Sequence, residues 1–81
     1  MSNLEIYNKV FMEVLGVSEN VLNENFTFKD VEQWDSVAHL SLISELEDAS
    51  DIMFESNDIL HYESYENGKK ILHERYNIDI K

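Results

Sequence analysis

Ser36 is the residue of this sequence whose surroundings most suggest chemistry. It follows Asp35 at the point where a polar stretch gives way to an apolar-periodic run, in VEQWDSVAHLSLISELED (31–48). His39 comes three residues later, so a carboxylate, a hydroxyl and an imidazole are close together in the chain. Such a serine can serve as a nucleophile beside a base, or it can be an exposed hydroxyl that another enzyme modifies. A plain helix-capping serine is the third interpretation.

The hydrolase interpretation lacks the elements that a nucleophilic serine needs. Ser36 and His39 would be neighbours on one helix, but His39 would turn towards the apolar arc of that helix. No glycine-flanked nucleophile elbow is present, and no second segment offers donors for an oxyanion. We therefore interpret His39 as a core histidine, and we rank hydrolysis below the other functions considered.

Metal chemistry has no recognisable motif in this sequence. The chain has no cysteine, and its three histidines, at positions 39, 61 and 73, do not have the spacing of a zinc site. The acidic stretch SELEDASD (44–51) lacks the alternating acids and central glycine of a calcium-binding loop. The sequence therefore predicts neither catalytic residues nor metal ligands.

The charge of the chain narrows the choice of partners. Its 81 residues include 17 acidic and 6 basic ones, for a formal net charge of -11. Such a chain repels nucleic acid and anionic membranes and attracts basic protein surfaces. Its apolar runs are too short to span a bilayer, and MSNLEIYNKV (1–10) lacks the apolar region of a signal peptide. We expect a cytoplasmic protein, monomeric, with no membrane insertion.

Helical periodicity dominates the elements that must position Ser36. Apolar spacing predicts helices over 3–15, 36–50, 57–62 and 64–76, with a connection over 17–35 that holds a short helical turn near 18–23. Gly16 is expected to end the first helix, and Asp35 or Ser36 to cap the second. The predicted fold of the single domain, residues 1–81, is all-α: a small antiparallel helical bundle of three long helices plus one short helix, with a long loop after the first helix.

The inner faces of these helices follow from the same spacing. On the second helix, Leu40 joins His39 and three further apolar side chains in one arc, with Val37 at its edge. On the third, Leu60 is expected to face inwards. Gly68 falls on the inner face of the last helix, where its cost of about 1 kcal/mol relative to alanine suggests a close helix–helix approach. The tail NIDIK (77–81) is expected to fray.

With this layout in view, the sequence resembles the acyl carrier proteins over residues 4–76. The matching parts are VLGV (14–17) at the end of the first helix, DSV (35–37) where the family usually has Asp-Ser-Leu, LSLISELED (40–48), and SYENGKKILHERY (64–76). The three-residue motif alone is unspecific. The position of the motif, the chain length, the acidity and the order of helices together are more specific. The form WDS (34–36) resembles the motif of carriers dedicated to specialised pathways.

The resemblance implies a function without an active site. Ser36 would receive a 4'-phosphopantetheine group from coenzyme A through a phosphopantetheinyl transferase. The thiol of that group would carry an acyl or aminoacyl group as a thioester, for fatty-acid or secondary-metabolite biosynthesis. The second helix would then bind loading and acyl-transfer enzymes with basic docking surfaces. The implied contact residues are Asp35, Val37, Ser41, Ser44, Glu45, Glu47 and Asp48.

A groove between the second and third helices could hold the acyl chain, although residues of the same type also fill ordinary helical cores. The candidate wall residues are Leu42, Ile43, Leu46, Ile59 and Tyr62. The chain departs from the family in having no acid over residues 38–44. We therefore expect the enzymes of common fatty-acid synthesis to use it poorly. The alternative function is a small acidic helical adaptor that binds a protein partner without modification.

Overall fold

The computed structural model describes residues 2–80, and over these residues the chain is helical, as predicted. Its four α-helices and one 3₁₀ turn have no β-strand beside them within the described residues. The α-helices are α1 (Asn3–Leu15), α2 (Ser36–Ser50), α3 (Ser56–Leu60) and α4 (Tyr65–Tyr76), and the 3₁₀ turn is Glu19–Val21. The connection between α1 and α2 therefore contains one helical turn.

Local capping signals account for the ends of α1. The Ser2 side chain accepts the amide of Glu5, and the Glu5 carboxylate accepts the amide of Ser2 in return. Gly16 ends the helix in the left-handed region at φ 65°, and its N–H donates to the carbonyl of Met12. The prediction that Gly16 terminates this helix is confirmed, because few other residues adopt that conformation without strain.

The connection before α2 is tied into the molecule by backbone and by side chains. The amide of Phe28 donates to the Glu63 carbonyl at 2.8 Å, and the amide of Tyr65 donates to the Phe26 carbonyl at 3.0 Å. Phe26 and Trp34 are both buried and stack with ring centroids 5.7 Å apart. The two backbone bonds join the connection to the turn between α3 and α4. The connection therefore lies beside this turn, close to the start of α2.

Aromatic rings make up much of the core. Phe11 of α1 is fully buried, and its ring centroid lies 5.4 Å from that of Trp34 and 5.3 Å from that of Tyr65. The hydroxyl of Tyr7 donates to the Tyr65 carbonyl at 2.8 Å and lies 2.7 Å from the hydroxyl of Tyr62. Burial raises the pKa of Tyr62 well above its ordinary value, so this hydroxyl stays neutral and keeps its hydrogen bond.

Four predictions from the sequence need correction. They concern two leucines, the third helix, Gly68 and the end of the chain. Leu40 and Leu60 are exposed, not inward-facing. The third helix begins and ends earlier than predicted, and the residue it buries is Asp58. A β-carbon at Gly68 would overlap the ring of Tyr62, so the close approach there involves an aromatic side chain rather than a neighbouring helix.

The chain end is the fourth correction. Within residues 77–80, Ile78 and Ile80 pack against the core, and the carbonyl of Asp79 accepts the Asn3 side-chain amide at 2.9 Å. Asn77 ends α4 in the left-handed region, and the amide of Ile78 donates to the Leu72 carbonyl. The expected fraying also included Lys81, which lies outside the described residues.

Candidate functional site

Ser36 lies at the N-terminus of α2 with its hydroxyl exposed. Asp35 is the capping residue: its Oδ1 accepts the amide of Ala38 at 2.8 Å. Of the two caps that the sequence allowed, the structure uses Asp35. Ser36 is exposed at the first helical position, and its hydroxyl has no hydrogen-bond partner among residues 2–80. The side chain is therefore accessible and has no capping role.

Ser36 lines a cleft of about 910 Å³. Its walls come from the connection before α2, from α2, from α3 and from the start of α4, which the Thr27–Ser64 bridge holds beside the connection. The lining is mixed in chemistry. It comprises Thr27, Phe28, Lys29, Asp30, Ser36, His39, Leu40, Ile59, Leu60, Glu63, Ser64 and Asn67. Its volume falls within the usual range for small-molecule and cofactor sites, about 300–1,000 Å³.

His39 forms part of the floor of this cleft and is engaged with other residues. Its Nδ1 accepts the indole N–H of Trp34 at 3.0 Å, and its Nε2 lies 2.9 Å from the carbonyl of Ile59. A neutral imidazole protonated at Nε2 satisfies both contacts. Since both ring nitrogens have partners other than Ser36, His39 is not placed as a base for the Ser36 hydroxyl.

Apolar side chains flank Ser36 on the protein surface. Val37 is 75% exposed, Leu40 is 63% exposed, and Leu60 of α3 is 75% exposed. Leu40 and Leu60 also line the cleft. Periodicity placed these two leucines inside because it cannot show which sides of a helix remain uncovered. Their signal in the sequence is weak, since single apolar residues are common on protein surfaces.

The five predicted acyl-pocket residues divide into two groups. Leu42, Ile43, Leu46 and Tyr62 are buried in the core. Ile59 alone among the five lines the cleft. The cleft that includes Ser36 thus has one of the five predicted residues in its wall. The other four belong to the buried core cluster. That the five residues form the wall of an acyl pocket stays a prediction.

The predicted partner-binding residues are mostly at the surface. Exposed side chains are those of Asp35, Val37, Ser41, Ser44, Glu45 and Asp48. Glu47 is half-buried, and its Oε2 accepts the amide of Phe54 at 2.9 Å. That bond closes the turn after α2 and gives Glu47 a structural role. Whether these residues bind a partner stays a prediction.

A separate polar cluster joins α3 to α4. Asp58 is buried, its Oδ2 accepts the Tyr76 hydroxyl at 2.6 Å, and its Oδ1 lies 2.6 Å from Nε of Arg75. Burial alone would raise the pKa of Asp58, but hydrogen bonds from Tyr76 and Arg75 outweigh it and lower the carboxyl pKa below its ordinary value. The cluster is thus an ionised link between two helices, and none of its three side chains lines the Ser36 cleft.

No helix among residues 2–80 is both long enough and apolar enough to cross a membrane. In the same residues no three acidic, histidine or cysteine side chains converge as ligands for a metal ion. Comparison of the chain with protein-family models, with curated proteins and with solved structures finds no match in any of the three. The site must therefore be interpreted from its own geometry.

Proposed function

We propose that this chain is a discrete carrier of acyl or aminoacyl groups, with Ser36 as the attachment site for 4'-phosphopantetheine. The observation that carries the proposal is the state of the Ser36 hydroxyl. Ser36 is exposed and lines a cleft, and its hydroxyl is not needed as a helix cap because Asp35 serves as the cap. A serine that served only as a cap would have its oxygen bonded to a helix amide.

The residues around Ser36 fit the group. The backbone amides of a helix N-terminus favour an anion, and a phosphodiester there would be next to the first turn of α2. The cleft also offers one cationic side chain, Lys29, together with polar and apolar side chains for the rest of a pantetheine chain. The chain itself has no thiol. The bound group would supply one, as the carrier of a thioester.

Attachment requires a separate transferase with coenzyme A as the donor. The Ser36 oxygen would form a bond to the phosphorus that bears pantetheine, and the pyrophosphate bond of coenzyme A would break. Adenosine 3',5'-bisphosphate would leave with the electrons of that bond, and the hydroxyl proton would pass to a base of the transferase. This chain contributes the exposed hydroxyl and the surface that the transferase binds. It supplies no catalytic group of its own.

Partner enzymes would meet two kinds of surface on this chain. Beside Ser36 the exposed side chains of Val37, Leu40 and Leu60 give an apolar contact surface. Further along α2 the exposed acids Glu45 and Asp48 can steer a basic docking surface towards the site. The proposed arrangement is that of an antiparallel carrier bundle whose contacts are modest and reversible, so that one carrier can visit several enzymes in turn.

Intact-mass measurement tests the proposal directly. The purified chain is incubated with coenzyme A, a divalent metal and a broad-specificity phosphopantetheinyl transferase, and Ser36→Ala and Ser41→Ala are treated in parallel. The expected result is one added phosphopantetheine on the unmodified chain and on Ser41→Ala, and none on Ser36→Ala. Ser41 is also exposed on α2. No mass gain, or an equal gain on Ser36→Ala, contradicts the proposal.

The exposed apolar side chains favour one alternative. A small acidic adaptor would use Val37, Leu40 and Leu60 to bind a single partner stably. It predicts that Ser36 stays unmodified in the host and that a stoichiometric complex is recovered with it. The mass of the protein isolated from its host separates the two functions, because a carrier would show a modified Ser36.

A further inference from the structure

We infer that the cleft beside Ser36 holds the phosphopantetheine group itself, and that Lys29 pairs with its phosphodiester. This inference rests on the proposed function. It concerns which residues of this chain hold the attached group when no enzyme is docked, and it separates that role from storage of an acyl chain in the core. Lys29, the lining of the cleft and the close packing of the core all point to this placement.

Lys29 is distinguished from the other cationic side chains by its lack of a partner. Among residues 2–80, Lys9 pairs with Glu13, Lys69 with Glu66, and Arg75 with Glu55 and Asp58. Lys29 and Lys70 form no ion pair within this part of the chain, and both are exposed. Of these two, Lys29 lines the Ser36 cleft. A positive charge without a carboxylate partner thus lies on the same cleft as the proposed attachment oxygen.

Several carboxylates lie near Ser36, and the positive charge of Lys29 can offset their repulsion of a phosphodiester. Asp35 precedes Ser36, and Asp30 and Glu63 also line the cleft. A phosphodiester on Ser36 would add a further negative charge among these carboxylates, which raises its energy there. Lys29 is the cation of the cleft lining, so it is the side chain that can offset this repulsion at close range.

The rest of the cleft suits a chain of alternating amide and methylene groups. Polar side chains come from Thr27 and Asn67, and apolar ones from Phe28, Leu40 and Leu60. The two side-chain N–H contacts of Asn67 go to the carbonyls of His61 and Tyr62, so its Oδ1 stays available as an acceptor within the described residues. An amide N–H of pantetheine could donate to this oxygen while the methylene groups lie against the leucines.

The core offers no comparable space for the same group. Leu42, Leu46 and Tyr62 are at most 1% exposed and pack against other buried residues. The second cleft of the described chain, about 610 Å³ beside Lys69, Lys70 and His73, does not include Ser36. A group covalently bound to Ser36 therefore has the Lys29 cleft as its neighbouring concave surface.

Two-dimensional NMR of the full chain tests the inference, with amide shifts compared before and after loading. Loading is verified by intact mass. The expected shift changes extend from residues 35–38 to Lys29, Leu60 and Asn67, and exclude Lys70 and His73. In Lys29→Gln the changes at Leu60 and Asn67 fall to less than half, and in the matched control Lys70→Gln they keep their size. Both lysines are exposed, so neither substitution disturbs the core.

The possible outcomes separate the two proposals. A chain that gains no mass at Ser36 contradicts the proposed function, and the inference falls with it. A chain that loads fully but changes shift only at residues 35–38 leaves the carrier function standing and overturns the inference. Equal effects of Lys29→Gln and Lys70→Gln also overturn it, because a general change in net charge would then explain the result.

Discussion

The indole N–H of Trp34 donates to Nδ1 of His39 at 3.0 Å, and this bond joins the end of the long connection to the first turns of α2. The other ring nitrogen of His39 reaches the carbonyl of Ile59 at 2.9 Å. The His39 imidazole on α2 thus links the connection before α2 to α3. His39 and Ile59 both line the cleft, so these bonds hold parts of its wall together.

Replacing His39 is expected to destabilise the protein through these two bonds. In His39→Phe the ring volume is largely kept, but the indole N–H of Trp34 and the Ile59 carbonyl lose their partner. Leaving buried polar groups unpaired costs about 1–3 kcal/mol in the free energy of unfolding. Urea unfolding monitored by circular dichroism measures the loss, and fluorescence of Trp34, the single tryptophan, reports the local change. His39→Gln, which keeps one donor and one acceptor, is expected to lose less. Equal stability of His39→Phe and the unmodified protein would contradict the assignment.

Gly68 is expected to tolerate no side chain because of Tyr62. A β-carbon would overlap the Tyr62 ring, whose hydroxyl is held by Tyr7. Gly68→Ala should therefore lower the free energy of unfolding by about 1–3 kcal/mol, the usual cost of overpacking, although alanine is the better helix former. Thermal unfolding measures the change. The control is Lys70→Ala, exposed on the same helix, where a change within about 0.5 kcal/mol is expected. A stabilised Gly68→Ala would show that the ring moves away freely.

Local signals in the sequence were sufficient for the ends of most helices. Gly16 and Ser64 act as caps through their own backbone freedom or side-chain oxygen, and both are found where capping rules place them. The helical bounds of α1 and α2 follow from the same local chemistry. The start of α3 did not follow, since its cap Glu55 makes no side-chain bond to the helix.

The site itself depended on contacts between residues far apart in the chain. The cleft exists because the Thr27–Ser64 bridge brings the connection beside α4, and no periodic pattern encodes such a pairing. Asp58 is buried because Arg75 and Tyr76 of α4 reach it, so its charge alone wrongly suggests an exposed position. Ser36 could be singled out from the sequence, whereas the presence of Lys29 on the same cleft could not.

Asp51 offers a route to a more stable protein. It ends α2 in the left-handed region at φ 54°, and its carboxylate lies at the negative end of the helix dipole. Asp51→Gly removes both penalties and should raise the free energy of unfolding by about 1 kcal/mol. Asp51→Asn removes only the charge and should give a smaller gain. Asp51→Ala also removes the charge but should give no gain, because alanine tolerates the left-handed conformation less well than aspartate or asparagine. Urea unfolding of the three variants measures these differences. A gain in Asp51→Ala equal to that in Asp51→Gly would exclude the backbone explanation.

The Asp58 cluster predicts how stability depends on acid. The pKa of the Asp58 carboxyl is lowered in the folded protein, so on acidification the unfolded chain binds this proton first. The stabilisation is therefore complete above about pH 4, where an unfolded aspartate is ionised, and is lost as pH falls through the lower folded pKa.

Asp58→Asn should be less stable than the unmodified protein by about 1–3 kcal/mol at pH 7. The difference should shrink as pH falls below 4, because the unfolded chain and then the folded Asp58 carboxyl take up a proton, after which both proteins carry an uncharged group at this position. Urea unfolding at several pH values follows the difference, with Asp48→Asn as the control at an exposed carboxylate of α2. A difference for Asp58→Asn that stays constant from pH 7 to pH 3 would show that the Arg75 and Tyr76 contacts do not depend on its charge.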